Sequence, residues 1–590
     1  AAQKVAVDAQ SAARYVLAHQ KSNGAFGPAG MDYTDLAWTY PAVHALKLLS
    51  IDIPDADSCY KNGHKPWIEK EPWKNGPWYW SLHQKANLYK LMDKKGDLEP
   101  EMAPGVNLKL QFKPRTNYTE FRDYVNGKFY DMSSLWSVVE ALAILDGTVS
   151  NPGFIGDFIL SRQTEQGGFE DLLDGHKTPR NEKAHVTVTH SAVMTLLALG
   201  IPVPNKGKVI TWLQSLQSSD GGFRWNPEAT SPANQSDVWY TWAAVATLDA
   251  LGAEPGKVEA CLGWLNMLQN ADGGFGDRPG WQSRLYSTYY AVHTIDILSG
   301  DARQGITPKA LDIKQDDLIP EGEYAIFQAH HKSPGGGKEM VDAVAEMGLN
   351  LIAVKTSEQA LYQNENNGMS DMVRAAREYA QEKGYPLEIV DAPENYSHRL
   401  IWFSGMKGNH VANYMIPPDI SDAQWQAIRS AHKVGTKELP WERYKDEVID
   451  PVLGMGTLFY PELDYTMANA YIVYDEGLKG DKGYNAVPAA HFGNYDWVRH
   501  FPYKERWLGQ LPMIADGDAH GDIHQWRDNL LSYRNVFIAK DYTYRDYIDA
   551  SYNNRSVCVI RMPSGFVRYY GSRAAVTYLK KHKEKWQWWE

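Results

Sequence analysis

Very little in this sequence of 590 residues points to a zinc knuckle, a membrane span or a nucleic acid. Cysteine is almost absent: Cys59, Cys261 and Cys558 lie far apart, match no CxxC spacing and cannot all pair with one another. No window reaches the roughly 18 uninterrupted apolar residues a transmembrane helix needs. The longest candidate, Leu135 to Leu145, is broken by Glu140. Positive charge is in deficit, with 60 Lys and Arg against 72 Asp and Glu and a formal charge of -12. That argues against duplex DNA or an anionic membrane surface as the main partner. Phe (16) is scarce beside Trp (21) and Tyr (35), so the aromatics are mostly those with a polar handle, as wet recognition surfaces and sugar platforms favour.

What is present is globular. Hydrophobic residues make up 43% and charged residues 22%, which excludes a disordered or collagen-like chain. The length exceeds one ordinary core, so several domain-sized units or two large lobes are expected. The chain opens Ala1-Ala2-Gln3, which reads as a mature end left by a signal peptidase and gives an expectation of export to the periplasm or outside the cell; expression cloning would leave the same end.

The strongest signal is an internal repeat. Gln163 with Gly167-Gly168-Phe169, Gln217 with Gly221-Gly222-Phe223 and Gln269 with Gly273-Gly274-Phe275 recur at a nearly constant spacing, and Gln20 with Gly24-Ala25-Phe26 is an outlying copy. Five residues before each Gln stands an aromatic, Tyr15, Phe158, Trp212 or Trp264, so an amphipathic helix is expected to run into each turn and a second helix to follow it. A helical pair cannot bury its apolar face alone, so the units must stack, and a toroid of paired helices is the natural closure. These motifs resemble the prenyltransferase and squalene-cyclase repeat superfamily, whose α/α toroids carry a Gln-x-x-x-Gly-Gly-Phe turn in each repeat. The resemblance implies an α/α toroid over residues 1–305.

Aligning the second helices on Leu46, Leu142, Leu196, Leu248 and Ile295 places Asp35, Asp131, His185, Asp237 and Arg284 in one column. Tyr40, Trp136, His190, Trp242 and Tyr289 form a second, largely aromatic column. Together they suit a substrate-binding cavity for a sugar, another small molecule or an apolar chain, with His185, His190, Tyr240 or Tyr289 as candidate acid or base. The same residues equally suit helix capping and core filling. The zinc-dependent members of the superfamily use Asp-x-Cys and a later His. Here Asp237 stands, but Trp239 takes the Cys position and Ser287 the His position, which excludes zinc-thiolate prenyl transfer on that pattern. The Asp-x-Asp-Asp acid of class II terpene cyclases occurs nowhere. Residues 54–130 interrupt the period with a stretch dense in Pro, Trp, Lys and Glu, containing Trp73, Trp78 and Trp80; a lid and a loop with its own small core both fit.

From Glu323 the pattern changes to short β-rich runs alternating with helical ones, the mark of an α/β layer. Strands are expected at Tyr324 to Gln328, Leu349 to Val354, Leu387 to Val390, Arg399 to Phe403, Ala470 to Tyr474 and Met513 to Ala515. Helices are expected at Lys338 to Met347, Asp371 to Lys383, Asp422 to His432 and Tyr544 to Asn553. The last strand runs into Asp516-Gly517-Asp518-Ala519-His520, which puts a carboxylate and an imidazole at its C-terminal end. Gly335-Gly336-Gly337 lacks the Lys-Ser/Thr ending of a P-loop.

This half resembles the PHP (polymerase and histidinol phosphatase) metal-dependent phosphoesterases, which implies a distorted β/α barrel over residues 318–590. Of the family's opening His-x-His, this sequence has Gln328-Ala329-His330 with His331 adjacent. The closing Asp-x-His is intact as Asp518 and His520, and the second-strand Asp-His has become Lys355-Thr356. The resemblance implies His330, Asp518 and His520 as ligands to one divalent metal of the zinc, manganese or iron class, with Glu394 or Asp391 as the bridging carboxylate and His398 as a further imidazole placed by spacing alone; Lys355 and His331 are candidate catalytic groups of this half, and His190 is one of the toroid. Three functions are open: an exported hydrolase using metal-activated water on an ester or phosphoester, with the toroid as binding lobe; a noncatalytic scaffold; and a toroid-centred enzyme acting on a polysaccharide. No nucleic-acid partner is expected.

Overall fold

The computed structural model describes residues 8–29, 34–63, 78–94, 110–115, 118–123, 127–129, 132–145, 149, 152–170, 184–227, 235–300, 319–334, 337–356, 371–397, 409–412, 417, 419–424, 426–428, 448–458, 460–461, 487–491, 495–496, 502–517, 523–561 and 567–586. Two compact units divide the chain near residue 313.

The first unit is built from helices α1 (Ala9–Leu17), α2 (Leu36–Leu48), α3 (Ala56–Gly63), α4 (Trp78–Leu91), α5 (Met132–Ile144), α6 (Pro152–Leu160), α7 (Val186–Ala198), α8 (Lys206–Ser215), α9 (Val238–Ala250), α10 (Val258–Asn266) and α11 (Leu285–Ser299). A three-stranded antiparallel sheet, β1 (Leu110–Arg115), β2 (Tyr118–Asp123) and β3 (Gly127–Phe129), lies between α4 and α5 in sequence. Helices α2, α4, α5, α7, α9 and α11 pack each against the next, and α11 packs back on α2, closing an inner ring.

The repeat turns explain the stacking. In each, the Gln side chain donates to the carbonyl of its own first glycine (Gly24, Gly167, Gly221, Gly273) and to a carbonyl at the start of the next outer helix (Pro54, Pro204, Lys257, Asp8). The Phe amide donates to a hydroxyl of the following inner helix, Thr39, Thr189, Thr241 or Thr288. Gly221 shows why the first turn position is glycine: its φ is +103°, and a Cβ there would stand 2.1 Å from the Ala260 carbonyl oxygen. The outer-helix aromatics have a definite task. Trp212, Trp264 and Tyr15 lie flat against the second glycines, Gly168, Gly222 and Gly274, of the preceding turn. The last turn thereby seats on the first helix, where Asp8 N also donates to Gln269 Oε1 at 2.9 Å.

One expectation needs correction. Within residues 54–130, α3 and α4 belong to the toroid, α4 filling the ring between α2 and α5, whereas β1, β2 and β3 pair with one another as a separate sheet. Trp78 and Trp80 lie on that helix, and Trp73 falls outside the described residues. The copy was hidden because no Gln-Gly-Gly-Phe turn follows α3 and because Tyr89 replaces the aliphatic anchor, packing with Ala86, Ala141 and Leu145.

The second unit contains an eight-stranded mixed sheet in the order β14-β13-β12-β4-β5-β6-β7-β8. Its strands are β4 (Ala325–Pro334), β5 (Leu351–Thr356), β6 (Glu388–Ser397), β7 (Asn409–Ala412), β8 (Tyr460–Pro461), β12 (Tyr533–Ala539), β13 (Ser556–Arg561) and β14 (Val567–Gly571). Strands β4, β5 and β6 are parallel and joined by α12 (Lys338–Glu346) and α13 (Asp371–Lys383), two βαβ units. A smaller sheet, β9 (Val487–His491), β10 (Tyr495–Asp496) and β11 (Met513–Ala515), continues the wall: β9 lies beside β8, and β11 packs against β12 and β13. Going round from β12 through β4 to β8, β9 and β11 therefore returns to β12, which makes the unit a distorted barrel. Helices α14 (Ile523–Ser532), α15 (Tyr544–Tyr552) and α16 (Arg573–Lys581) complete it.

Alternation sorts the residues. On β5, Leu351 and Ala353 join the cluster holding Val390, Ile514, Phe537 and Tyr547, while Ile352 and Val354 join Met340, Val344, Val373 and Leu530 beneath the helices. The expected strands and helices that fall on described residues form, but β4 runs on to Pro334 and β6 to Ser397, well past the expected ends at Gln328 and Val390. Arg399 to Phe403 and Ala470 to Tyr474 lie outside the described residues, as does part of Asp422 to His432.

Candidate functional site

In the barrel, one residue stands apart. His330, on β4, has no exposed surface. Its Nδ1 faces the carbonyl of Tyr533, a pure acceptor, at 3.0 Å, so Nδ1 carries the hydrogen and donates. Burial pulls its pKa down to about 4, so the ring is neutral at pH 7 and Nε2 keeps its lone pair. That Nε2 is buried and has no hydrogen-bond partner among the described residues. It points at Gly517, where an added Cβ would lie only 2.2 Å from it. A β-bulge follows immediately, because His330 pairs with Ile352 but Ser333 with Val354. Gly517 is held in turn through β11, since the Asn535 side chain on β12 binds both backbone groups of Ala515.

A neutral imidazole with one nitrogen donating to a backbone carbonyl keeps a lone pair on the other, the electronic state in which a histidine can act as a ligand. The expected partners Asp518, His520 and His398 lie outside the described residues, as do the side chains of Glu394, Lys355 and His331. Among the described residues, no group of three or more His, Cys, Asp or Glu is placed to hold a metal. Gln328 departs from a ligand in a definite way. Its Oε1 accepts from Arg534 Nη1 at 2.5 Å, and that guanidinium, itself buried, acts on His330 as a neighbouring positive charge. The sequence did not reveal this pair, whose members are 206 residues apart.

In the toroid the first predicted column sits at the N-termini of the inner helices. Asp35, His185 and Asp237 are N-caps whose side chains accept from Ala37, Val188 and Trp239 amides, and Arg284 occupies the same position on α11 without a side-chain cap. Asp131 lies outside the described residues. Asp237 pairs with Arg278 at 3.1 Å and Arg284 with Asp277 at 2.5 Å, all four buried, so these charges are engaged within the wall. His185 stacks on Trp225 at 3.9 Å, and burial lowers its pKa to about 3. Tyr240 packs on the other side, 5.1 Å from Trp225.

The second column converges. Tyr40, Trp136, His190, Trp242 and Tyr289 form a closed ring, completed by His83 of α4, with neighbouring centroids 4.8 to 6.2 Å apart. One helical turn further on stand His44, Glu140 and His293, none singled out by the sequence. Glu140 pairs with His83 Nε2, His44 stacks on Tyr289 at 4.5 Å, and Trp242 Nε1 donates to His293 Nδ1 at 2.9 Å. The signal that would have found them is the i+4 spacing from Tyr40, Trp136 and Tyr289 on helices already aligned. Burial holds His190, His44 and His293 below the ordinary imidazole range, and His190 falls to about 4. Burial pushes the Glu140 carboxyl up, but the neighbouring His83 outweighs it and leaves the carboxyl below its ordinary value.

Residues 2–80 and 116–319 match the family model of the prenyltransferase alpha-alpha toroid domain. No curated protein matches the chain. Similar solved structures include a two-domain protein containing a predicted PHP-like metal-dependent phosphoesterase from Bacteroides vulgatus, at 13% identity and a TM-score of 0.27, covering 40% of this chain and 65% of that one. Candida albicans protein geranylgeranyltransferase-I complexed with GGPP is similar at 17% identity and a TM-score of 0.36, covering 46% of this chain and 87% of that one. A putative metal-dependent phosphoesterase from Bifidobacterium adolescentis is similar at 13% identity and a TM-score of 0.19, covering 35% of this chain and 95% of that one. The chain thus spans about 65% of the length of the first of these. No helix among the described residues is long and apolar enough to cross a membrane.

Proposed function

We propose that this chain, whose N-terminal half is an α/α toroid and whose C-terminal half is a distorted β/α barrel, is a hydrolase of esters or phosphoesters that works with one divalent metal in the barrel, the toroid serving as its binding lobe. The observation that carries this is His330: a neutral imidazole with no exposed surface, one nitrogen donating to the Tyr533 carbonyl and the other bare toward Gly517. A buried polar atom without a partner costs about 1–3 kcal/mol, so a ligand for Nε2 accounts for its persistence. His330 fits a borderline metal, with Asp518, His520, Glu394 and His398 as the remaining donors in this reading. When bound, a divalent ion lowers the pKa of a coordinated water from about 15.7 toward 7 and polarises an ester or phosphoryl oxygen.

The protein's own residues set the terms of that site. Tyr533 fixes the His330 tautomer and orientation, and Gly517, lacking a Cβ, leaves the room that the ring's Nε2 edge occupies. Arg534, clamped to Gln328, acts on His330 as a neighbouring positive charge, while burial pulls its own pKa well down. That charge disfavours a second dication at Gln328 and favours an anionic substrate, which selects a mononuclear arrangement over a polynuclear one.

The test is hydrolysis of an ester and phosphoester panel by chelated protein before and after Zn, Mn or Fe(II) is returned. The proposal expects metal-dependent turnover that His330→Ala reduces at least 100-fold; turnover equal in chelated and reloaded protein overturns it. The Gln328–Arg534 pair supports a second reading, a noncatalytic scaffold, because it places an amide and a cation where the resemblance implies a ligand. That reading expects no turnover under any metal.

A further inference from the structure

The toroid presents a group of hydrogen-bond acceptors around aromatic faces, with no charged role assigned to them above. His190 is 3% exposed, and its Nδ1 lies 2.9 Å from Thr247 Oγ1. The Thr247 hydroxyl hydrogen is committed to the Ala243 carbonyl at 2.5 Å, so Oγ1 accepts from Nδ1–H and His190 Nε2 holds a lone pair. Among the described residues that buried Nε2 has no hydrogen-bond partner, nor does His44 Nδ1. Trp136 and Trp242 flank His190 at centroid distances of 5.2 and 4.8 Å.

Accessibility shows where a ligand would enter. The ring members Tyr40, His83, His190, Trp242 and Tyr289 are buried at 3 to 7%. One turn toward the C-terminal ends of the same helices, His44, Glu140, Met194, Ala246 and His293 are all partly accessible, and the Glu140 side chain keeps 31% of its surface. The Glu140 carboxylate therefore keeps accessible surface beside the rings. These accessible residues lie on the side of the aromatic ring toward the helix C-termini, the negative ends of the helix dipoles. Asp249 and Asp296 also act on His293 from that side, and Lys90 acts on His44 and Glu140 as the local positive charge.

Aromatic faces, a carboxylate, bare imidazole nitrogens and converging helix C-termini all favour a cation that also donates hydrogen bonds. We propose that the lumen of the toroid binds an organic ammonium ion of about choline size, its charged head against Trp242, Tyr289 and Trp136 and its polar end toward His190 and Glu140. A cation over such rings is attracted by their quadrupoles, whereas its neutral isostere gains only the apolar part. This rests on the toroid being the binding lobe of the proposed hydrolase, but not on the metal chemistry: loss of metal leaves it untouched, and loss of ammonium binding leaves metal content untouched.

The test is isothermal titration of the full chain with choline, with its neutral isostere 3,3-dimethylbutan-1-ol and with methyl β-glucoside, followed by intrinsic Trp fluorescence. The proposal expects choline to bind at least tenfold more tightly than the isostere and Glu140→Gln to weaken choline at least fivefold without affecting the isostere. Trp242→Phe, which keeps an aromatic ring in place, should weaken choline two- to fivefold, and far-UV circular dichroism identifies either variant that fails to fold. Equal affinity for choline and the isostere, binding of the glucoside alone, or binding of none of the three would overturn it.

Discussion

The Asn535 side chain satisfies both backbone groups of Ala515: Ala515 N donates to Oδ1 at 2.8 Å, and Nδ2 donates to the Ala515 carbonyl at 2.9 Å. The amide thus imitates a strand partner and pins the end of β11 to β12, two residues before Gly517 meets His330. The barrel seam and the candidate ligand are therefore set by one side chain.

Replacing Asn535 with Leu keeps volume but leaves the buried Ala515 N–H and carbonyl unpaired. At about 1–3 kcal/mol for each orphaned group, the C-terminal unit should lose about 2–6 kcal/mol in a denaturant titration. Hydrogen exchange at Ala515 to Gly517 should rise more than exchange elsewhere in the unit; uniform change across the barrel would show that the amide does not hold this seam.

Gly221→Ala and Gly207→Ala separate turn strain from helix propensity. Gly221 has φ +103° and no room for a Cβ beside the Ala260 carbonyl, so its variant should destabilise the toroid by more than about 2 kcal/mol. Gly207 lies in α8 with nothing near the position of an added Cβ, so its variant should stabilise by about 0.5–1 kcal/mol. Thermal unfolding of both variants checks the pair, and equal shifts would contradict the packing described for the turns.

Acid should unfold the toroid early. His185 and His190 titrate at about 3 and 4 in the folded state because of burial, against an ordinary value near 6.5. Between these values the unfolded chain binds more protons, so stability is lost as pH falls from about 6.5 toward 4. His185→Phe, which keeps a ring against Trp225, should flatten this dependence in urea titrations at pH 4.5 and 7. A slope equal to that of the parent would mean that His185 is not held neutral.

How much of this was legible follows from distance along the chain. The Gln turns announce themselves because each interaction partner of Gln217 lies within 40 residues, and the same short pattern recurs. Helix α4 was not legible, since its hairpin lacks that turn, and with it went His83, the sixth member of the aromatic ring. The charged column was visible as a column, but whether Asp237 faces a ligand or caps a helix depends on Arg278, a tertiary fact. In the barrel, periodicity located β4 and β11, whereas the bare nitrogen of His330 depends on Tyr533, 203 residues away.

The most direct test of the central claim is elemental analysis of the full chain purified without a histidine tag or added metal, beside His330→Ala and Gly517→Ala. The account predicts about one zinc, manganese or iron per parent chain and a loss of at least tenfold in both variants, since one removes the ligand nitrogen and the other covers it. A metal-free parent, or metal retained undiminished in His330→Ala, would contradict it.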